Sequence, residues 1–383
     1  MMDRNFLSWP FFERKHRDLA GELRTWCEDS LPKPSGDLDE DCRALVRELG
    51  RGGLLKLCVS DGDRRPDVRS LALARETLAY HSALADFAFA MQGLGSGAIS
   101  LFGTVEQKSE WLPDVASGSS IAAFAMTEPG SGSDAANMGT SALQDGNGWV
   151  MVGEKTYISN GGIADFYLTF ARTGEGEGAR GLSAFIVPAD AEGLSVEERI
   201  EVIAPHPLAR MKYDNVRLPA DALIGEPGQG FRVGMETLNL FRVTVGAAAL
   251  GLARRALDEA LAFASERRLG NGTLADNAVT QAKLAEMAML IDASALLIYR
   301  AAWQQDVGGT DNRRAAAMAK LHATESAQQV IDSAVQIHGG TGVTKGVKVE
   351  ELYRDIRALR IYEGASEVQR QIIARDLLKE FRR

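Results

Sequence analysis

The run Ile361-Tyr362-Glu363-Gly364 sets a carboxylate between apolar neighbours and a glycine. The earlier stretch MAKLHATESAQQVIDSAVQI has the apolar repeat of a helix, which Gly339-Gly340 stops. Ser366-Glu367 opens another helix, whose Val368, Ile372, Ile373 and Leu377 share one stripe. Glu363 is therefore expected in a bend between packed helices. Partial desolvation there raises a carboxyl pKa, and the adjacent glycine admits close approach by a second molecule; both suit a general base. A loop glutamate of this kind is in most proteins merely solvated or ion-paired, so its meaning depends on what accompanies it. A second stretch, TEPGSGSD, sets Thr127, Ser131 and Ser133 among glycines. Its hydroxyls and backbone N–H groups can converge on a planar polar ligand, although Ser/Gly loops are more often plain turns.

The chain that must position these groups has 383 residues, too many for one ordinary hydrophobic core. Its 45% hydrophobic and 25% charged residues are ordinary for a globular protein. A net charge of -9 and a pI near 5.3 argue against nucleic acid or an anionic membrane surface as partner. Cys27, Cys42 and Cys58 are odd in number and lack CxxC spacing, which points to a reducing compartment. The opening MMDRNFLSWPFFERKHRDLA does not read as a signal peptide, and no run approaches the roughly 20 apolar residues of a spanning helix. The expectation is a cytoplasmic protein with no membrane span and no metal site.

Along the chain, helical spacing covers FFERKHRDLAGELRTWCEDS, LDEDCRALVRELGRGGLL and a long alanine-rich run from Val68 to about Gly95. Gly95-Ser96-Gly97 reads as a break before one more helix in VEQKSEWLPDVASG. The period then changes. IAAFAMTE, WVMVGEKTYISN, DFYLTFAR, LSAFIVPA and MKYDNVRLP read as strands, with Gly146-Asn147-Gly148 as a turn and RTGEGEGARG as an exposed loop. From Gly230 three long helices follow, the first with a small-residue face around Gly246–Gly251 that suits close approach of a helix or a cofactor ring. The fold class is α+β: a helical N-terminal domain (1–122), a middle β domain (123–229) and a C-terminal helical part (230–383).

Three ordered stretches, AMTEPGSGSD (Ala125 to Asp134), QIHGGTG (Gln336 to Gly342) and YRDIRALRIYEGASEVQ (Tyr353 to Gln369), resemble the signatures of the flavin-dependent acyl-CoA dehydrogenases. The likeness spans nearly the whole chain in length, layout and motif order. It implies that the C-terminal part is a four-helix bundle. It also implies FAD at a subunit interface and a homotetramer, less often a homodimer. Thr127 matches the position facing the flavin, with Met126 beside it, and Ser133 matches the one beside the substrate's phosphopantetheine arm. Tyr157 and Ser159 match positions against the flavin, Arg267 the arginine on the FAD diphosphate, and Gln336, Gly339 and Gly340 the segment along the adenosine–diphosphate part. A guanidinium fork suits paired phosphate oxygens, and glycines let backbone N–H groups reach an anion. His338 reads as a spacer. Arg242 matches an arginine near the active site, where it organises electrostatics, and Phe241 and Gly364 adjoin the substrate.

The resemblance allows the base two places. Most members use the glutamate of YEG, here Glu363; a minority draw it from the helix carrying LNLFR, where this chain has Phe241. Phenylalanine cannot abstract a proton and Glu236 lies a turn or more early, so Glu363 is the expected base. The implied reaction is α,β-desaturation of an acyl thioester: Glu363 takes the pro-R α-proton and a hydride leaves the β-carbon for flavin N5. The Glu363 backbone N–H and a ribityl hydroxyl steady the enolate. Electrons pass to an electron-transferring flavoprotein or to oxygen. The substrate reads as a short, branched or cyclic acyl-CoA. The alternatives are a carrier-protein-bound thioester and a flavin- or acyl-CoA-binding homologue without turnover. Phe89, Met91, Gln92, Leu94 and Phe241 are candidate acyl-pocket liners or plain core. The chain departs from the family pattern at Gly270, Asn271, Ala278 and Ala365, each of which is expected to remove packing or a hydrogen bond to FAD.

Overall fold

The computed structural model describes residues 5–60, 62, 64–308 and 312–382. The chain opens with helices α1 (Arg14–Asp29), α2 (Leu38–Arg51), α3 (Val68–His81), α4 (Ala83–Phe102) and α5 (Val105–Ser117). Their starts follow local chemistry. Asp37 caps α2 by accepting from the amides of Asp39 and Glu40 at 3.0 and 3.1 Å, and Thr104 with Gln107 forms a capping box on α5.

The long helix expected from Val68 to Gly95 is two helices. Ser82 is extended (φ -154°), and its Oγ accepts from the Ala85 amide at 3.2 Å, so this serine ends α3 and caps α4. The break expected at Gly95–Gly97 is absent, and α4 runs through it. A Cβ at Gly93 or Gly97 would lie 2.6 or 2.9 Å from the Phe241 ring, and one at Gly95 would lie 2.6 Å from Ala122 Cβ. These glycines are packing surfaces of a buried helix rather than its end.

A mixed sheet follows: β1 (Ala122–Ala125), β2 (Ser141–Asp145), β3 (Gly148–Ser159), β4 (Phe166–Arg172), β5 (Leu182–Pro188), β6 (Leu194–Arg199), β7 (Leu208–Pro219) and β8 (Leu223–Ile224). Its order is β6-β7-β3-β2-β4-β5-β8, with β1 parallel to β4. The Gly146-Asn147 turn joins β2 to β3 in register Asp145↔Gly148, as the sequence predicts. Sequence reading missed β2 and β6: the first is mostly polar, and the second, LSVEER, is exposed at all but its first residue. Phe166, Leu168, Phe170, Ala184 and Ile186 pack with Ile99 of α4 and Leu112 and Val115 of α5.

The helical bundle comprises α6 (Gly230–Glu266), α7 (Ala278–Gly308), α8 (Arg313–His338), α9 (Lys348–Leu359) and α10 (Ser366–Phe381), with a hairpin of β9 (Arg268–Leu269) and β10 (Gly272–Thr273) between α6 and α7. Helix α9 lies between the two helices expected to flank Glu363. By packing, the chain forms two compact units. One holds Asp29–Pro66 and Phe87–Phe241, and the other Met1–Glu28, Asp67–Asp86 and Arg242–Arg383. In the second, the small-residue face of α6 serves helix packing. A Cβ at Gly246 would lie 3.2 Å from Ile298 Cγ1 of α7 and 3.3 Å from the Ala319 carbonyl of α8.

At Gly251 a Cβ would lie 2.1 Å from the Glu76 carbonyl oxygen of α3, so any side chain forces α3 and α6 apart. Gly251→Ala is therefore expected to destabilise the protein by about 1–3 kcal/mol, read as a lowered thermal midpoint. An unchanged melting curve would contradict this packing.

Candidate active site

The loop from Arg360 to Ser366, between α9 and α10, carries Glu363 in a left-handed backbone conformation (φ +51°), followed by Gly364 at φ +91°. The first is unfavourable for a residue with a side chain and persists only where neighbours hold it. Helix α8 supplies much of that hold. Lys320 Nζ donates to the Tyr362 and Gly364 carbonyls at 2.8 and 2.5 Å, and Glu325 accepts from Ser366 Oγ at 2.5 Å and from Arg360 Nε at 3.0 Å. Gln369 Nε2 adds a bond to the Gly364 carbonyl at 2.7 Å.

The Glu363 residue keeps some exposure, but its Oε2 is sealed from solvent and has no hydrogen-bond partner among the described residues. Nor does any described residue accept from its backbone N–H. Burial raises the carboxyl pKa above its usual value; Arg75, Lys320 and Arg242 oppose the rise, and Asp86 adds to it. Arg75 is locked to Asp86 by two bonds of 2.8 and 2.9 Å, and reaches Thr244 Oγ1 at 3.1 Å. Burial lowers the pKa of Arg242, countered by Glu363. Burial also pulls Lys320 down to about 8, against the attraction of Glu363. A carboxyl in this setting has its proton affinity raised and faces several cations, which suits reversible proton transfer to carbon.

The other unit holds the TEPGSGSD loop. Glu128 and Ser131 exchange backbone bonds of 2.9 and 3.1 Å, which folds the loop tightly. Behind it lies a buried pair that sequence reading missed. Lys155 Nζ binds Glu128 Oε1 at 2.7 Å and the Met126 carbonyl at 3.2 Å, while Glu128 also accepts from the Gly139 and Thr140 amides. Burial pulls Lys155 down to about 8, whereas Lys155 and those amides outweigh burial and lower the pKa of Glu128. Met126 is buried, Thr127 half-buried and Ser133 exposed, and neither hydroxyl has a partner among the described residues. Tyr157 sits at a bulge of β3 with φ +55° and is 62% exposed, so it is not the core aromatic that an isolated strand tyrosine would suggest. Ser159 is half-buried nearby on the same strand.

Arg267 is exposed at the end of α6, and Gln336, Gly339 and Gly340 are exposed at the end of α8, where a Cβ on either glycine would meet nothing within 4 Å. His338 is buried, stacked on Phe263 and bonded to the Ala334 carbonyl, consistent with a spacer. Phe89, Met91, Gln92, Leu94 and Phe241 are all buried, and Gln92 is committed to the Ser120 carbonyl and the Ala122 amide at 2.7 and 2.8 Å. Gly270 (φ +58°) and Asn271 form the turn of the β9–β10 hairpin, and Ala278 begins α7. Ala365 occupies the N-cap of α10 with no side-chain cap, so a threonine there would supply a cap of about 1 kcal/mol that this chain lacks.

Family models for the N-terminal, middle and C-terminal domains of acyl-CoA dehydrogenase match residues 13–119, 123–216 and 228–378. The chain belongs to the acyl-CoA dehydrogenase family. It is 35% identical over 379 residues to a 3-(aryl)acrylate reductase of Clostridium sporogenes, covering 96% of this chain and 100% of that one. It is 36% identical over 376 residues to the short-chain specific acyl-CoA dehydrogenase of Bos taurus mitochondria, covering 96% and 91%. The butyryl-CoA dehydrogenase structure from Megasphaera elsdenii superposes with a TM-score of 0.88 at 30% identity, covering 98% and 100%. The fold is accordingly that of the family, with a helical N-terminal domain, a central mixed sheet and a C-terminal helical bundle. The protein is an FAD-dependent oxidoreductase that acts on an acyl-CoA-like substrate. Each unit by itself carries groups whose chemistry suits that cofactor: one has two hydroxyls with no partner among the described residues and an exposed aromatic at positive φ, and the other has an exposed arginine and open glycines. Among the described residues no helix is long and apolar enough to cross a membrane.

Removing one partner of the buried Lys155–Glu128 pair strands the other charge. Glu128→Ala is expected to cost about 3–5 kcal/mol in guanidinium unfolding, and adding Lys155→Met to recover a large part of that loss. A double variant no more stable than Glu128→Ala alone would contradict the pairing.

Proposed function

We propose that the chain desaturates a short, branched or cyclic acyl-CoA between its α- and β-carbons, with Glu363 as the base. What carries the reading is the sealed Oε2 of Glu363, which has no hydrogen-bond partner among the described residues in a setting rich in cations. The carboxylate removes the α-proton. The unused backbone N–H of Glu363 is available to the thioester carbonyl as negative charge builds there. Arg242 steadies the same region by charge, Gly364 leaves room for the thioester, and Phe241 and Ser133 adjoin the acyl chain and the pantetheine arm. Met126, Thr127, Ser133, Tyr157, Ser159, Arg267, Gln336, Gly339 and Gly340 would hold FAD. When bound, FAD supplies the acceptor for the hydride from the β-carbon.

An electron-transferring flavoprotein is the proposed electron partner, with oxygen as the alternative. A homotetramer accords with the open apolar groove that Leu290, Leu297, Met318, Leu321 and Ile373 line on the bundle. Three buried free thiols accord with a cytoplasmic setting. Full-length likeness to a 3-(aryl)acrylate reductase favours a second reading, the same couple run towards the saturated acid. In that direction Glu363 delivers the α-proton, and the rate is highest where it is protonated.

Anaerobic titration of the purified flavoprotein with a panel of acyl-CoA esters tests the reading through bleaching of the flavin. Glu363→Gln is expected to slow bleaching by roughly 10²–10⁴-fold while the ester still binds. Bleaching at the unaltered rate would remove Glu363 from the role. Because the base must be ionised and burial raises its pKa, the desaturation rate is expected to fall as pH drops through a midpoint above the ordinary glutamate value. A midpoint at or below that value would contradict the burial of the carboxyl.

A further inference from the structure

Lys320 is 1% exposed, and both its hydrogen bonds go to backbone carbonyls, those of Tyr362 and Gly364. These carbonyls belong to the two neighbours of Glu363, so one ammonium grips the chain on either side of the left-handed residue. No carboxylate is bonded to Lys320 among the described residues, and Glu363 and Glu325 act on its charge through space. The groups facing Glu363 are Arg75 from α3, Asp86 from α4, Arg242 from α6, Lys320 from α8 and Tyr362 from the loop itself; Arg313 lies by Arg242, and Glu325 by Lys320. Arg75 is matched by Asp86 through two bonds, which leaves its charge largely answered.

We propose that Lys320 is the positioning residue of the base: it holds Glu363 in its left-handed conformation and keeps the carboxyl ionisable despite burial. This rests on Glu363 being the base. Both functions come from one group, since the ammonium that bonds the two flanking carbonyls also acts on the carboxylate by charge. A neutral residue of similar length would lose both. A neutral residue that still donates an N–H would lose only the charge.

Lys320→Met and Lys320→Gln test this in the flavin-loaded protein, with Glu363→Gln as control. The acid limb of anaerobic flavin reduction by an acyl-CoA ester is measured against pH. The carboxyl band of Glu363, identified by infrared difference from the control, is titrated in the absence of ester. In both lysine variants the limb and the band midpoint are expected to move up by about one pH unit or more. The plateau rate should fall further in Lys320→Met than in Lys320→Gln. An unmoved midpoint in folded Lys320→Gln would overturn the proposal and leave Glu363 as base intact. Failure of Lys320→Gln to fold or keep flavin would also overturn it, since Lys320 would then be a structural strut. If the control still bleaches at the wild-type rate, the base is misassigned and the proposal falls with it.

Discussion

The bundle leaves one left-handed residue that its own loop cannot hold. Glu363 has a side chain where glycine would be comfortable, and the residues on either side are kept in place from α8. Lys320 and Glu325, five residues apart on that helix, carry opposite charges: Glu325 ties the two ends of the loop, and Lys320 holds its middle. Helix α8 can serve this way only because α6 lies close against it, which the absence of a side chain at Gly246 permits. A glycine on α6, a lysine on α8 and a glutamate in a loop thus form one chain of dependence from packing to chemistry.

The two units use buried charge differently. In the sheet unit, Lys155 and Glu128 satisfy one another and fix the backbone of the loop that carries Thr127 and Ser133. That pair is closed, with backbone amides using the remaining carboxylate capacity. Around Glu363 the charges are less evenly answered, and one carboxylate oxygen has no hydrogen-bond partner among the described residues. A paired buried ion stabilises geometry, whereas an incompletely answered one keeps its proton affinity adjustable.

The order of helices, sheet and bundle was legible because it rests on periodicity, and Glu363 because apolar neighbours and a glycine surround it. Lys320 was not legible. In MAKLHATE it resembles any lysine on a helix, and its burial follows from a loop more than 40 residues later folding back over α8. The Lys155–Glu128 pair was hidden for the same reason, since 27 residues separate its members. The helix break at Ser82 turns on one hydroxyl within an alanine-rich run that otherwise favours continuity. Strand β6 escaped because an exposed edge strand of charged residues carries no hydrophobic alternation.

Phe241 fills the space that Gly93 and Gly97 leave on α4, with its ring near the closest approach those glycines allow. A carboxylate placed at this position would lie against a glycine furrow shaped for an aromatic ring. The ring's loss alone would leave a void costing about 3–5 kcal/mol, with a buried charge added. Moving the base from the loop before α10 to α6 therefore demands concerted change at 93, 97 and 241.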